Sequence, residues 1–148
     1  VVAAILGSYF GPRLMQNLRE KHGYTYGVMA AMVNFDHDGY LAIATQVAKE
    51  HRDAALKEIY AEIETLRHEL ISEEELQMVQ NIMIGETLRI LDGPFGIADV
   101  TIENIMCGCD NSATEECVKT IFAMTPERVR ELCNRYLCHE DLIEVVVG

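Results

Sequence analysis

Apolar residues along the chain fall first in a continuous run, then at helical spacing, then in a two-stranded stretch, and then at helical spacing again. Val1-Val2-Ala3-Ala4-Ile5-Leu6 is apolar throughout and lacks a cap, so it reads as the tail of a helix already under way. Ser8-Tyr9-Phe10-Gly11 breaks it, and Pro12 suits the first position of a new helix. Leu14, Met15 and Leu18 give that helix its apolar face and leave Arg13, Gln16, Asn17 and Lys21 outward. Gly23 stops it, because glycine tolerates the left-handed cap conformation, and Arg19 falls near its C-terminal end. From Thr25 to Phe35 the residues are β-branched, small or aromatic, Asp36-His37-Asp38-Gly39 has turn chemistry, and Tyr40 to Ala48 runs back. This predicts a hairpin in which Gly39 supplies a positive φ. Ala30, Ala31, Ala42 and Ala44 make both strands small and apolar on both faces, as suits a sheet covered on each side.

Leu56, Ile59, Tyr60, Ile63, Leu66 and Leu70 then recur at helical spacing, with Lys57, Glu58, Glu62, Glu64 and Arg67 opposite, predicting a helix over 51–70. Ser72-Glu73-Glu74-Glu75 is a capping box, with Ile71 and Leu76 placed for a hydrophobic staple, and that helix continues to Leu91. Asp92-Gly93-Pro94 breaks the chain and Phe95 to Met106 forms another helix. Ser112-x-x-Glu115 and Thr125-Pro126-Glu127 open two more, and Leu142 to Val147 reads as a final strand. The order gives an α+β fold: an antiparallel or mixed sheet with helices packed on one face, in one domain spanning 1–148. Internal repeats, linkers and low-complexity segments are absent from the sequence.

Composition narrows the function. A net charge of −12 would repel nucleic-acid phosphates; it is compatible with cationic peptides, and also with plain solvated helix faces. No apolar run reaches the length of a membrane span, so no membrane partner is expected. The five cysteines cannot all pair internally. Cys107 and Cys109 form a C-x-C, and Cys133, Cys138 and His139 fall close together, but Cys107 would end a helix while Cys117 and Cys133 look core-facing. Reduced, mostly buried thiols are the expectation, which favours a reducing, cytoplasmic compartment.

Candidate chemistry gathers in Leu18-Arg19-Glu20-Lys21-His22-Gly23-Tyr24-Thr25-Tyr26-Gly27. Tyr24 and Tyr26, two apart on an extended segment, are expected on one face, where a guanidinium and a phenol can both offer donors to carbonyl oxygens. Such donors hold a peptide or stabilise an oxyanion. The plainer reading makes Arg19 a helix-end residue bonding the last carbonyls, Tyr26 a half-buried strand tyrosine and Tyr24 a packing residue. Zinc motifs are wanting. His68-Glu69 and His139-Glu140 begin like H-E-x-x-H, but Ser72 and Ile143 stand where the second histidine must be, and no histidine begins H-x-x-E-H. Gly7-x-x-x-Gly11 leads into Pro12-Arg13 and is no phosphate loop.

Ala4-Ile5-Leu6-Gly7, Arg13 to Lys21 and Gly23-Tyr24-Thr25-Tyr26-Gly27 together resemble the C-terminal domain of the M16 zinc peptidases, the insulinase, pitrilysin and mitochondrial processing peptidase family. Leu91 to Phe95, Met124 to Glu127 and Val145 to Gly148 resemble it more loosely. The resemblance implies an N-terminally truncated, non-zinc domain that completes an active site for peptide-bond hydrolysis. It assigns substrate-backbone binding to Arg19 and the scissile carbonyl to Tyr26, seven residues later, with Tyr24 assisting. It also implies no cofactor in this chain, zinc in a complementary domain or subunit that bears H-x-x-E-H, and a peptide or protein substrate. Alone, the chain is expected to be inactive, and an unpaired sheet edge would favour self-association. The alternative is a non-catalytic, peptide-binding or structural homologue that pairs with an active subunit.

Overall fold

The opening apolar run forms α1 (Val2–Gly7), with Ala4, Ile5 and Leu6 buried, in a computed structural model that describes residues 1–7, 11–35 and 37–148. Gly11 has φ 93, and Pro12 takes the cap position just ahead of α2 (Arg13–Met15), which passes without a break into a π-wound stretch, Gln16–Lys21. Strands β1 (Thr25–Asn34) and β2 (Gly39–Val47) pair antiparallel as the expected hairpin. After a 3₁₀ turn (Lys49–His51) come α3 (Arg52–His68), α4 (Glu73–Ile90), α5 (Pro94–Met106), α6 (Ser112–Phe122) and α7 (Pro126–Tyr136). The fold class is α+β.

The chain gathers into two compact units. The first holds Val2–Ile71 and Pro126–Gly148. Its core comprises Ile5 and Leu6 of α1, Leu14 and Leu18, Val28 and Ala30 of β1, Ile63 and Leu66 of α3, and Val129 and Cys133 of α7. Helix α3 lies against α7, where Asn134 donates its side-chain amide to the Arg67 carbonyl at 2.7 Å. The second unit is Ser72–Thr125 with Val1. Ser72 caps α4 as its sequence predicts, accepting from the Glu75 N–H at 3.1 Å. The buried Gln80 donates to the Ile121 carbonyl at 2.9 Å and so joins α4 to the end of α6.

Gly39 does not have positive φ; it sits in β2, and a Cβ there would lie 2.9 Å from the Val33 carbonyl oxygen, so close approach rather than a turn demands glycine. Asp36, in the predicted turn, and Ser8-Tyr9-Phe10 lie outside the described residues. The α6 cap is Asn111 rather than Ser112, whose N–H is taken by the Asp110 carboxylate at 2.8 Å. These Ser112 hydrogen bonds hold the Asp110 carboxyl below the usual carboxylate range.

Leu142–Val147 is not a strand: it pairs with nothing among the described residues, and Ile143 and Val147 are at least nine-tenths exposed. β-branched composition suits a pleated surface but needs a neighbouring strand to make one. The segment is instead tethered by Tyr60, whose phenol donates to Glu144 at 2.6 Å, a bond that raises the Tyr60 pKa. Cys117, expected in the core, is exposed, whereas Cys133 is fully buried. Leu70 falls beyond the end of α3 and is exposed.

Candidate functional site

Two backbone irregularities bracket Gly23, one before it and one after. Before it, Gln16–Lys21 winds as a π-helix, and the His22 N–H reaches the Asn17 carbonyl, five residues back, at 3.2 Å. Gly23, at φ 65, reverses the chain as its sequence position predicts. The closing bonds run from Gly23 N–H to the Arg19 carbonyl at 3.0 Å and from Tyr24 N–H to the Leu18 carbonyl at 2.8 Å. Each spans one residue more than the usual closure of an α-helix, as the wider turn requires. Arg19 thus rides on the last π turn with its carbonyl occupied and its side chain exposed.

After the glycine, β1 carries a bulge. Thr25 pairs with Val47 and Val28 with Thr45, so Tyr26 and Gly27 together face the single residue Gln46. Two threonine hydroxyls staple the irregularity. Thr25 Oγ1 accepts from the Gly27 N–H at 3.1 Å and lies 2.8 Å from the Gly27 carbonyl and 2.7 Å from the Gln46 carbonyl. Thr45 donates to the Gly27 carbonyl at 2.9 Å. A bulge re-aims the side chain it carries, and Tyr26 is 96% exposed. The half-buried tyrosine of the plainer reading is therefore not what the fold builds.

Tyr24 precedes the strand and has a different environment. Its ring stacks on His22 and on His51, with centroids 4.9 Å away in each case. Regular strand alternation does not govern the pair Tyr24 and Tyr26, because the first lies ahead of β1 and the second on the bulge. The side chains of Arg19 and Tyr26 have no hydrogen-bond, ion-pair or ring partner among the described residues, so their donors are free to meet something else.

Beneath the turn lies a polar cluster. Asn17, expected to face solvent, is only 8% exposed and donates its amide to Glu58 at 3.0 Å and Glu62 at 2.8 Å. The two glutamates stand one turn apart on α3. His22 Nε2 lies 3.8 Å from Glu58 Oε2. Asn17 Oδ1 and His22 Nε2 are buried with no hydrogen-bond partner among the described residues. The π winding explains the company: it puts positions five apart, Asn17 and His22, on one side.

His22 and His51 are spent on the faces of Tyr24, and His68 sits 3.0 Å from Glu64 on the surface of α3. Among the described residues no three His, Cys, Asp or Glu side chains converge on one point. This donor set does not fit zinc, which takes about four converging ligands in structural sites and three in catalytic ones.

The sequence model of the family described as the peptidase M16 inactive domain matches residues 1–83. The chain belongs to that family. Among solved structures, it is similar to the peptidase M16 inactive domain from Pseudomonas fluorescens, at 26% identity and TM-score 0.74, over 92% of this chain and 32% of that one. A protease from Helicobacter pylori shares the fold at 17% identity and TM-score 0.81, over 93% of this chain and 33% of that one. So does the inactive peptidase domain of a candidate zinc protease from Bordetella parapertussis, at 21% identity and TM-score 0.79, covering 94% of this chain and 75% of that one. No curated protein matches. The chain spans about a third of the length of the first two structures.

The helix–turn–strand that carries Arg19 and Tyr26 lies within the matched residues. Asn17, His22, His51, Glu58 and Glu62 carry no motif, and only the fold brings them together. Gly27 inside a strand pattern was a usable signal for the bulge, since glycine there often marks one. No helix among the described residues is long and apolar enough to cross a membrane.

Proposed function

We propose that this M16 inactive domain is the substrate-holding side of a zinc peptidase, with Arg19 and Tyr26 as its working groups. The observation that carries the reading is their presentation: both are exposed and unpaired on a turn that is braced on each side. An exposed guanidinium without an internal carboxylate offers its donors to substrate carbonyls, and fixes a peptide before chemistry begins. A phenol re-aimed by a bulge can donate to the oxygen that gains negative charge when a scissile carbonyl is attacked. Tyr24, stacked between two imidazoles, holds the turn, and its part in substrate binding is indirect. Zinc belongs to a complementary domain or subunit, where it would activate the attacking water.

The test uses the complete enzyme, with its zinc-bearing half present. Tyr26→Phe removes one hydroxyl from a fully exposed ring, so the fold is untouched. Expected is a fall in kcat with KM nearly unchanged, equivalent to about 2.7–4 kcal/mol of barrier if the donor serves the oxyanion fully. Arg19→Ala is expected to raise KM, with a smaller loss of kcat through poorer alignment. If the chain is instead the non-catalytic member of such a pair, both variants leave kcat/KM per folded molecule at the wild-type value.

A further inference from the structure

The second unit ends α5 on a pair of thiols that the proteolytic reading does not use. Cys107 is the C-cap, Gly108 follows at φ 71, and Cys109 comes next. The Cys109 N–H donates to the Asn104 carbonyl at 2.8 Å, and the Gly108 N–H to the Ile105 carbonyl at 3.0 Å. These two bonds are the Schellman closure of a helix, with glycine in its left-handed position. That conformation folds two virtual Cα bonds to near a right angle, placing the flanking Cα atoms about 5.4 Å apart. Disulfides accept Cα separations of roughly 4.4–6.8 Å. The Cys109 sulfur is also turned back, with Sγ 3.7 Å from the Cys107 carbonyl oxygen. Both cysteines are exposed, and the space over Gly108 is open.

We propose that Cys107 and Cys109 are a dithiol that closes reversibly to an intrachain disulfide by exchange with small-molecule disulfides such as oxidised glutathione. One thiolate attacks a sulfur of the reagent, forms a mixed disulfide and expels the first thiol. The second thiolate attacks the protein sulfur of that mixed disulfide and expels the second thiol. Two cysteine S–H bonds and one reagent S–S bond are lost, one protein S–S bond is gained, and both electrons and both protons leave on the two released thiols. A ring closed over one intervening residue is strained, so excess thiol reopens it readily, which suits a reversible modification. The remaining three cysteines differ in kind, and the half-buried Cys138 donates its thiol to the Asn134 carbonyl at 3.2 Å. Cys133 is fully buried, and burial pushes its thiol up to about 11. Cys117 is exposed but has no cysteine beside it, so exchange there stops at the mixed disulfide.

The experiment incubates the reduced 148-residue chain with oxidised glutathione at neutral pH, quenches with acid, alkylates and maps the peptides by mass. The peptide holding Cys107 and Cys109 is expected to lose two hydrogens and carry neither glutathione nor label, while Cys117 carries glutathione. Cys107→Ser leaves Cys109 at the mixed disulfide, and Cys109→Ser does the same for Cys107. Closure relative to the mixed disulfide is expected to fall about tenfold when exchange is run in strong denaturant. The proposal is overturned if the folded chain holds glutathione or label on both sulfurs, if the new disulfide joins two chains, or if closure is as efficient in the unfolded chain.

Discussion

Asn17 and Glu62, 45 residues apart in sequence, are joined by a hydrogen bond of 2.8 Å that ties the π-wound stretch to α3. The same amide reaches Glu58 at 3.0 Å, so one buried nitrogen serves two carboxylates. Asn17→Ala should remove both bonds and cost about 1.5–3 kcal/mol, the range for hydrogen bonds to charged groups. Asn17→Asp should cost more, because it sets a third carboxylate against two others. Denaturant unfolding of the two variants measures this. An aspartate variant as stable as wild type would show that the cluster is not what fixes the turn.

Gly23 tests the reversal itself. Its φ is 65 and nothing lies within 4 Å of where a Cβ would stand, so the cost of a side chain is conformational and not steric. Gly23→Ala is expected to lower stability by about 1 kcal/mol, and Gly23→Asn by less, since asparagine tolerates the left-handed region. Equal losses for the two, measured by thermal unfolding, would contradict this account.

Gly7 fails for the opposite reason. A Cβ there would lie 2.6 Å from the Ala30 backbone nitrogen and 3.0 Å from the Ala30 methyl group. Backbone cannot swing aside, so α1 must withdraw from β1. Gly7→Ala should destabilise by about 1–3 kcal/mol despite alanine's better helix propensity. A neutral or stabilising result in urea unfolding would mean that α1 rides further from the strand.

Cys133 gives the fold an alkaline limit. Burial raises its pKa from 9.0 to about 11, so the folded state keeps the thiol neutral where the unfolded state ionises it. The contribution is whole below pH 9 and is lost as pH rises towards 11, at a slope of about 1.4 kcal/mol per pH unit. Cys133→Ala should lower stability at neutral pH through the cavity, yet remove that part of the alkaline slope. An unchanged slope across pH 9–11 in the variant would assign the alkaline loss to other groups.

Local rules written in a few neighbouring residues fixed much of this protein. The Ser72 cap, the reversal at Gly23, the hairpin, the proline-led α7 and the opening helix each follow from short stretches of neighbouring residues. Arg19 and Tyr26 differ: by local rules they read as a helix-end arginine and a strand tyrosine, and their roles are what the family resemblance implies. Tertiary structure decided what local rules cannot reach. Asn17 reads as a surface residue until α3 brings Glu58 and Glu62 against it, and a buried amide then becomes the brace of the turn. Strand alternation would put Tyr24 and Tyr26 alike, but a bulge pinned by Thr25 and the distant Thr45 separates them, one stacked between imidazoles and one in solvent. Leu142–Val147 has strand composition, yet a strand requires a neighbouring ladder. The physical reason is common to all three: backbone propensity and capping act within a few residues, while burial, ladder pairing and charge contact depend on what folding brings alongside.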